Sequence, residues 1–275
     1  ISTATRLLPV NAISNVLTNK ERQIIVEAFP MGIDYEKFDQ LAKSPTVISE
    51  VKEFEDSHVG LTTILSIDRL DYSKGIFERL KAFELLLETR PAYLQKISLY
   101  MVVVPSRDTV AQYKELKEQI DQTVGKINSK YRTVDWNPIY YFYRSFPIET
   151  LSKFYATADI CLVTPMRDGM NLVSKEYIAS RADETGVLIL SEMAGSSKEL
   201  TEALIVNPNN IGDIMNAIVD AINMPLAEQR LRMSAMRATV KKFNVKHWVQ
   251  NFMQKLNEVK DYQNSLLTKH AVKNI

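Results

Sequence analysis

Apolar residues recur along this chain in two alternating rhythms: short continuous runs of strand length, many of them β-branched, and longer stretches with helical spacing. Residues 61–67 predict a strand, and residues 76–89 a helix with Ile76, Leu80, Phe83 and Leu87 on one stripe. A strand over 97–104 ends at Pro105, and a long amphipathic helix over 109–130 carries Tyr113, Leu116, Ile120 and Ile127. Strands follow over 139–143, 160–164, 187–190 and 203–206, with a helix over 147–157 and a helical pattern after each later strand. Alternation of this kind predicts an α/β fold with a doubly wound parallel sheet, Rossmann-like.

The ends read differently. Residues 7–16 have no clean period, 23–29 predict a short strand broken by Pro30-Met31-Gly32-Ile33-Asp34, and 37–55 are polar loop and helix. The tail predicts helices over 211–223, 226–243 and 246 to about 267, with Pro225 separating the first two. His247 and Trp248 open the last of them as a packed pair, and Met224, Met233 and Met236 read as core filling. The chain is therefore divided into residues 1–59, 60–243 and 244–275.

At 275 residues and 45% hydrophobic content the chain can bury one large core or two modest ones. Its net charge of +1 supplies no general field for nucleic acid or an anionic membrane, so any anion site is local. Cys161, the single cysteine, lies in an apolar strand and reads as a small buried hydrophobe; with no intrachain disulfide possible, the expected location is cytoplasmic. No run approaches the roughly 20 apolar residues of a membrane span. There is no Asp-x-Asp motif and, with three histidines, no zinc-like cluster, so no metal or other cofactor is expected.

In a doubly wound sheet the ligand sits beyond the carboxyl ends of the strands. The loops there read Asp68-Arg69-Leu70-Asp71-Tyr72-Ser73-Lys74-Gly75, Pro105-Ser106-Arg107-Asp108, Arg144-Ser145-Phe146-Pro147 and Met166-Arg167-Asp168-Gly169-Met170-Asn171. Cations and an aromatic thus converge on one edge. Arg69 and Lys74, just before a helix, can clamp a diphosphate; Arg144 and Arg167 read as solvated surface charges. Asp68, Asp71 and Asp108 are the sequence neighbours available to pair with these cations. In the fourth loop Gly169 is expected to supply a backbone conformation other residues pay to adopt, and Asn171 to cap the next helix. Asp168 and Glu176 bracket that helix start with carboxylates able to accept from sugar hydroxyls.

Thr164-Pro165-Met166-Arg167-Asp168-Gly169-Met170-Asn171-Leu172-Val173-Ser174-Lys175-Glu176-Tyr177 resembles the donor-site signature of trehalose-6-phosphate synthases, and residues 68–75 resemble the family's second signature. The similarity spans roughly Gln23 to Leu256. The resemblance implies the C-terminal, nucleotide-sugar-binding domain of a GT-B glycosyltransferase, preceded by a remnant of the N-terminal domain. It implies UDP-glucose as donor, glucose 6-phosphate as acceptor and retention of anomeric configuration. Arg69 and Lys74 would hold the diphosphate, Arg107 would lie near the donor, and Phe146 beside the uracil. Asp168 would contact the glucose and Glu176 the ribose, with Gly169, Met170, Asn171, Leu172 and Val173 lining the donor site; Arg69, Lys74 and Asp168 would be catalytic. The acceptor site belongs to the half that the similarity does not cover, so the chain alone is expected to bind donor and turn over little. Its partner would be that missing domain, with self-association through the apolar surface left bare. Two alternatives stay open: a related synthase with another acceptor, such as glucosylglycerol-phosphate synthase, or a non-catalytic nucleotide-binding subunit.

Overall fold

The computed structural model describes residues 1–19, 22–106 and 110–273, with side chains through residue 263 except that of Arg22. It divides into two compact units, Ile1–Met31 with Val245–Ile275, and Gly32–Asn244.

In the first unit, α1 (Ser2–Leu7) precedes three short antiparallel strands, β1 (Asn11–Ile13), β2 (Val16–Asn19) and β3 (Arg22–Ile25). The strand expected over 23–29 thus ends early, and the stretch without a clean period contributes β1. A three-residue strand is too short to show periodicity in sequence. The terminal helix, Val245–Lys273, is held by Trp248, whose indole donates to the Phe29 carbonyl at 3.0 Å, and by Phe252, which meets Phe29 edge-on. His247 shares a hydrogen bond with Asn251 at 2.9 Å, so the pair at this helix start is structural.

The second unit begins with α2 (Tyr35–Ala42) and α3 (Pro45–Ser57), capped by Asp34 and Ser44. The sheet and its helices follow: β4 (Thr62–Arg69), α4 (Ile76–Thr89), β5 (Ile97–Val104), α5 (Ala111–Tyr131), β6 (Ile139–Phe142), α6 (Ile148–Thr157), β7 (Ile160–Val163), α7 (Leu172–Ser180), β8 (Val187–Ser191) and β9 (Leu204–Val206). Helices α8 (Ile211–Ile222) and α9 (Leu226–Lys242) close it. The six strands are parallel, in the order β6-β5-β4-β7-β8-β9, the doubly wound arrangement that the alternating pattern predicted.

Burial on both faces explains why the strands read as unbroken apolar runs. Ile64, Leu99, Met101, Ile160, Leu162 and Ile189 point into one core with α4, α5 and α8, whereas Leu65, Val102, Cys161, Val163, Leu188 and Leu190 point into the other with α6, α7 and α9. Cys161 is fully buried, and so are Met233 and Met236.

One boundary changes the site. The first sheet strand was expected to end at Ile67, with Asp68 and Arg69 in the loop. Backbone pairing instead continues through Asp68↔Val103 and Arg69↔Val104. A charged residue hides a strand end from an apolar pattern, but its main chain pairs as well as any other.

Candidate active site

The chain order reverses between β4 and β7, and a doubly wound sheet takes its ligand beyond the carboxyl ends of the strands at such a switch point. After β4, Asp71 accepts from the Ser73 backbone N–H at 2.8 Å and starts a single turn, Tyr72–Lys74. Gly75 then reverses the chain at φ 64°, where an added Cβ would stand 2.4 Å from the Thr164 carbonyl oxygen at the end of β7. Only glycine fits both constraints. The backbone N–H groups of Met166 and Arg167 both donate to the Ser73 carbonyl, which ties the two loops together.

Lys74 and Asp168 meet across this junction, with Nζ 2.6 Å from Oδ2. Both side chains are largely buried. Asp168 also accepts from the Met170 backbone N–H at 3.3 Å and from the Asn171 amide at 3.2 Å. Burial alone would raise its pKa, but the Lys74 hydrogen bond and charge outweigh it, with help from Met170 and Asn171, and the carboxyl sits below its ordinary value. The loop after β8 braces the arrangement: Gly195 donates its N–H to the Asp168 carbonyl and Ser196 to that of Met170.

Helix α7 starts immediately afterwards. Asn171 caps it by accepting from the Ser174 N–H at 3.0 Å, and adopts φ 78°. By position, the N–H groups of Leu172 and Val173 in the first turn lack intrahelical acceptors. One turn on, Glu176 accepts from the Tyr155 hydroxyl at 2.7 Å; burial raises the Glu176 pKa against the lowering effect of that bond. Arg69, the last residue of β4, is exposed, and its side chain makes no hydrogen bond or ion pair among the described residues. This edge can therefore offer an unpaired guanidinium, an ammonium with spare N–H groups, and two oriented carboxylates.

Residues 1–258 match the family model of Glycosyltransferase family 20. The chain belongs to this family. It is similar to the bifunctional trehalose-6-phosphate synthase/phosphatase of Thermoproteus tenax, with 43% identity over 239 residues covering 87% of this chain and 33% of that protein. It is also similar to the alpha,alpha-trehalose-phosphate synthase (UDP-forming) of Candida albicans, with 38% identity covering 93% of this chain and 54% of that one. A solved E. coli structure, described as trehalose-6-phosphate bound with UDP-2-fluoro glucose, superposes with a TM-score of 0.87 at 36% identity, covering 92% of this chain and 56% of that one. The chain thus spans about half the length of the latter two. The fold is that of the GT-B trehalose-phosphate synthases.

Of the residues this family-20 chain nominated by sequence, the structure brings Lys74, Asp168, Met170 and Asn171 into direct contact. Leu172 and Val173 pack against the apolar core at the first turn of α7. Phe146 is half-buried against Phe142 and Phe154, with the Arg144 guanidinium 4.4 Å over its ring. Arg144 and Arg167 are both exposed, as expected, and Arg144 also lies over an aromatic ring. Arg107 lies outside the described residues.

Two local expectations are corrected. Gly169 does not have a positive φ, and a Cβ there would meet nothing within 4 Å. The unusual backbone of this loop falls on Asn171, whose short amide can bond locally and so tolerates that region. Asp68 does not serve the loop cations; it is buried and paired with Arg79 of α4. Arg79 is itself fully buried and also donates to the Ser66 hydroxyl and the Lys74 carbonyl. Its place one turn after Ile76, on the inward stripe of α4, was the available signal.

Proposed function

We propose that this chain forms the donor-nucleotide side of a UDP-forming trehalose-phosphate synthase, holding UDP-glucose for retaining transfer of glucose to glucose 6-phosphate. The observation that carries the reading is the Lys74–Asp168 pair at the switch point of a family-20 chain. The names of the relatives supply the nucleotide and the product.

The chemistry fits these groups. As the bond between the anomeric carbon and the phosphate oxygen breaks, negative charge grows on the departing diphosphate while the sugar becomes oxocarbenium-like. Lys74 keeps N–H donors beyond the one it gives Asp168, and Arg69 offers a planar fork for phosphate oxygens. Loss of one such contact would cost about 2.7–4 kcal/mol of transition-state stabilisation. Asp168, held ionised, is a strong acceptor for a glucose hydroxyl. In the retaining mechanism implied by the resemblance, the acceptor hydroxyl attacks the same face, and the leaving phosphate oxygen takes its proton.

Calorimetric titration with UDP and UDP-glucose, beside Arg69→Ala and Lys74→Ala, tests the reading. Saturable binding weakened by either substitution supports it, and no binding by the folded chain overturns it. The acceptor site belongs, by the resemblance, to the part of the relatives that this chain does not match. Donor binding is therefore the property to measure.

A further inference from the structure

Tyr155 has no place in the chemistry described so far, yet it is fully buried and spends its one polar group on a carboxylate of the donor site. It lies on α6, locked in the apolar core with its ring edge-on to Phe38. Its hydroxyl donates to Glu176 Oε2 at 2.7 Å. The other oxygen, Oε1, accepts nothing among the described residues and is not sealed from solvent. One oxygen of Glu176 is thus anchored from inside the protein, and the second is left for a ligand.

We propose that Tyr155 is a positioning residue that, by holding Glu176 Oε2, presents Oε1 to the nucleotide ribose and gives the site its preference for ribose over deoxyribose. The inference rests on the donor-site reading above and adds a residue to it. The surroundings leave Tyr155 little choice of partner. Cys161 on β7 is a buried thiol, and Asp68 on β4 is engaged by Arg79 of α4. Burial, reinforced by the Glu176 carboxylate, holds the Tyr155 hydroxyl well above its ordinary pKa, so it remains a donor at every working pH. Without that anchor the Glu176 carboxylate, which has no other partner among the described residues, would rotate about its terminal torsion, which has broad wells.

The test is calorimetric titration of the chain with UDP and with 2′,3′-dideoxy-UDP, for the native protein, Tyr155→Phe, Glu176→Gln and the double variant. Tyr155→Phe keeps the ring and removes one hydroxyl; circular dichroism checks the fold of each variant. The native chain is expected to favour UDP by about tenfold or more, the worth of a hydrogen bond to a charged group. Tyr155→Phe should weaken UDP by about fivefold to tenfold and leave dideoxy-UDP within about twofold. Glu176→Gln should show the same ribose-specific loss, and the double variant no more than the larger single loss, because the two act as one unit. Should Tyr155→Phe fail to fold, equal affinity of Glu176→Gln for both nucleotides would support the inference, and a retained ribose preference would overturn it. Equal weakening of both nucleotides by Tyr155→Phe, or no change in either, overturns it while leaving the donor site intact. If the native chain binds no UDP, the donor reading fails as well.

Discussion

Lys74 Nζ and Asp168 Oδ2 stand 2.6 Å apart, although 94 residues separate them in the chain. The contact joins the loops after β4 and β7, the two strands at which the sheet reverses its order. The reversal of strand order thus also sets a cation and a carboxylate side by side beyond the carboxyl ends of these strands.

That pairing gives acid stability a defined sign. The folded pKa of Asp168 is depressed, so its contribution is fully present above the ordinary aspartate value near 3.9 and is lost as pH falls through the lower, folded value. In Lys74→Met burial would act without the ammonium, and the Asp168 pKa would rise. The acid unfolding midpoint should then move to higher pH. Thermal melts of both proteins between about pH 2 and pH 7 would read this, and coincident midpoints would contradict it.

Arg79→Met should be more damaging to the fold than Lys74→Met. It leaves Asp68 buried without its counter-ion and frees the Lys74 carbonyl from its donor. Breaking a buried pair from one side costs about 3–5 kcal/mol. Urea unfolding should show a loss of that order, partly recovered when Asp68→Asn is added. A loss below about 1 kcal/mol would mean that the pair carries no such weight.

The two glycines of the loops after β7 and β8 should respond in opposite ways. A Cβ at Gly195 would stand 2.0 Å from the Gly169 carbonyl oxygen, whereas one at Gly169 meets nothing. Gly195→Ala should therefore displace the loop carrying Asp168, destabilising by about 1–3 kcal/mol and weakening UDP-glucose binding. Gly169→Ala should keep both near native. Paired calorimetry and urea titrations of the two variants would expose a reversed order.

Asn171 combines a cap with a positive φ, and substitutions can separate the two. Asn171→Gly keeps the backbone freedom and loses little capping. Asn171→Ala loses the acceptor for Ser174 N–H and is strained at φ 78°. Alanine should cost about 1 kcal/mol more than glycine in chemical unfolding. Equal costs would show that neither feature matters there.

Much of this protein was legible in one dimension. The helix Ile76–Thr89 and the strand Ile97–Val104 fall where periodicity puts them, because burial on one stripe or on both faces is written into local spacing. Asn171 reads as a cap for the same local reason. The motifs at 68–75 and 164–177 pointed to the family that the matching of residues 1–258 then showed.

Tertiary structure decided who meets whom. Nothing near Lys74 in sequence announces Asp168, nothing near Glu176 announces Tyr155, and Asp68 turns from the neighbouring loop cations to Arg79, eleven positions away. Gly195, rather than Gly169, proves to be the glycine without room. Apolar periodicity reports only which side of an element is buried. The partners of a buried charge follow from strand order and crossovers, which bring loops together from distant parts of the chain, and a desolvated polar group must find its counterpart there or be left unpaired at a cost.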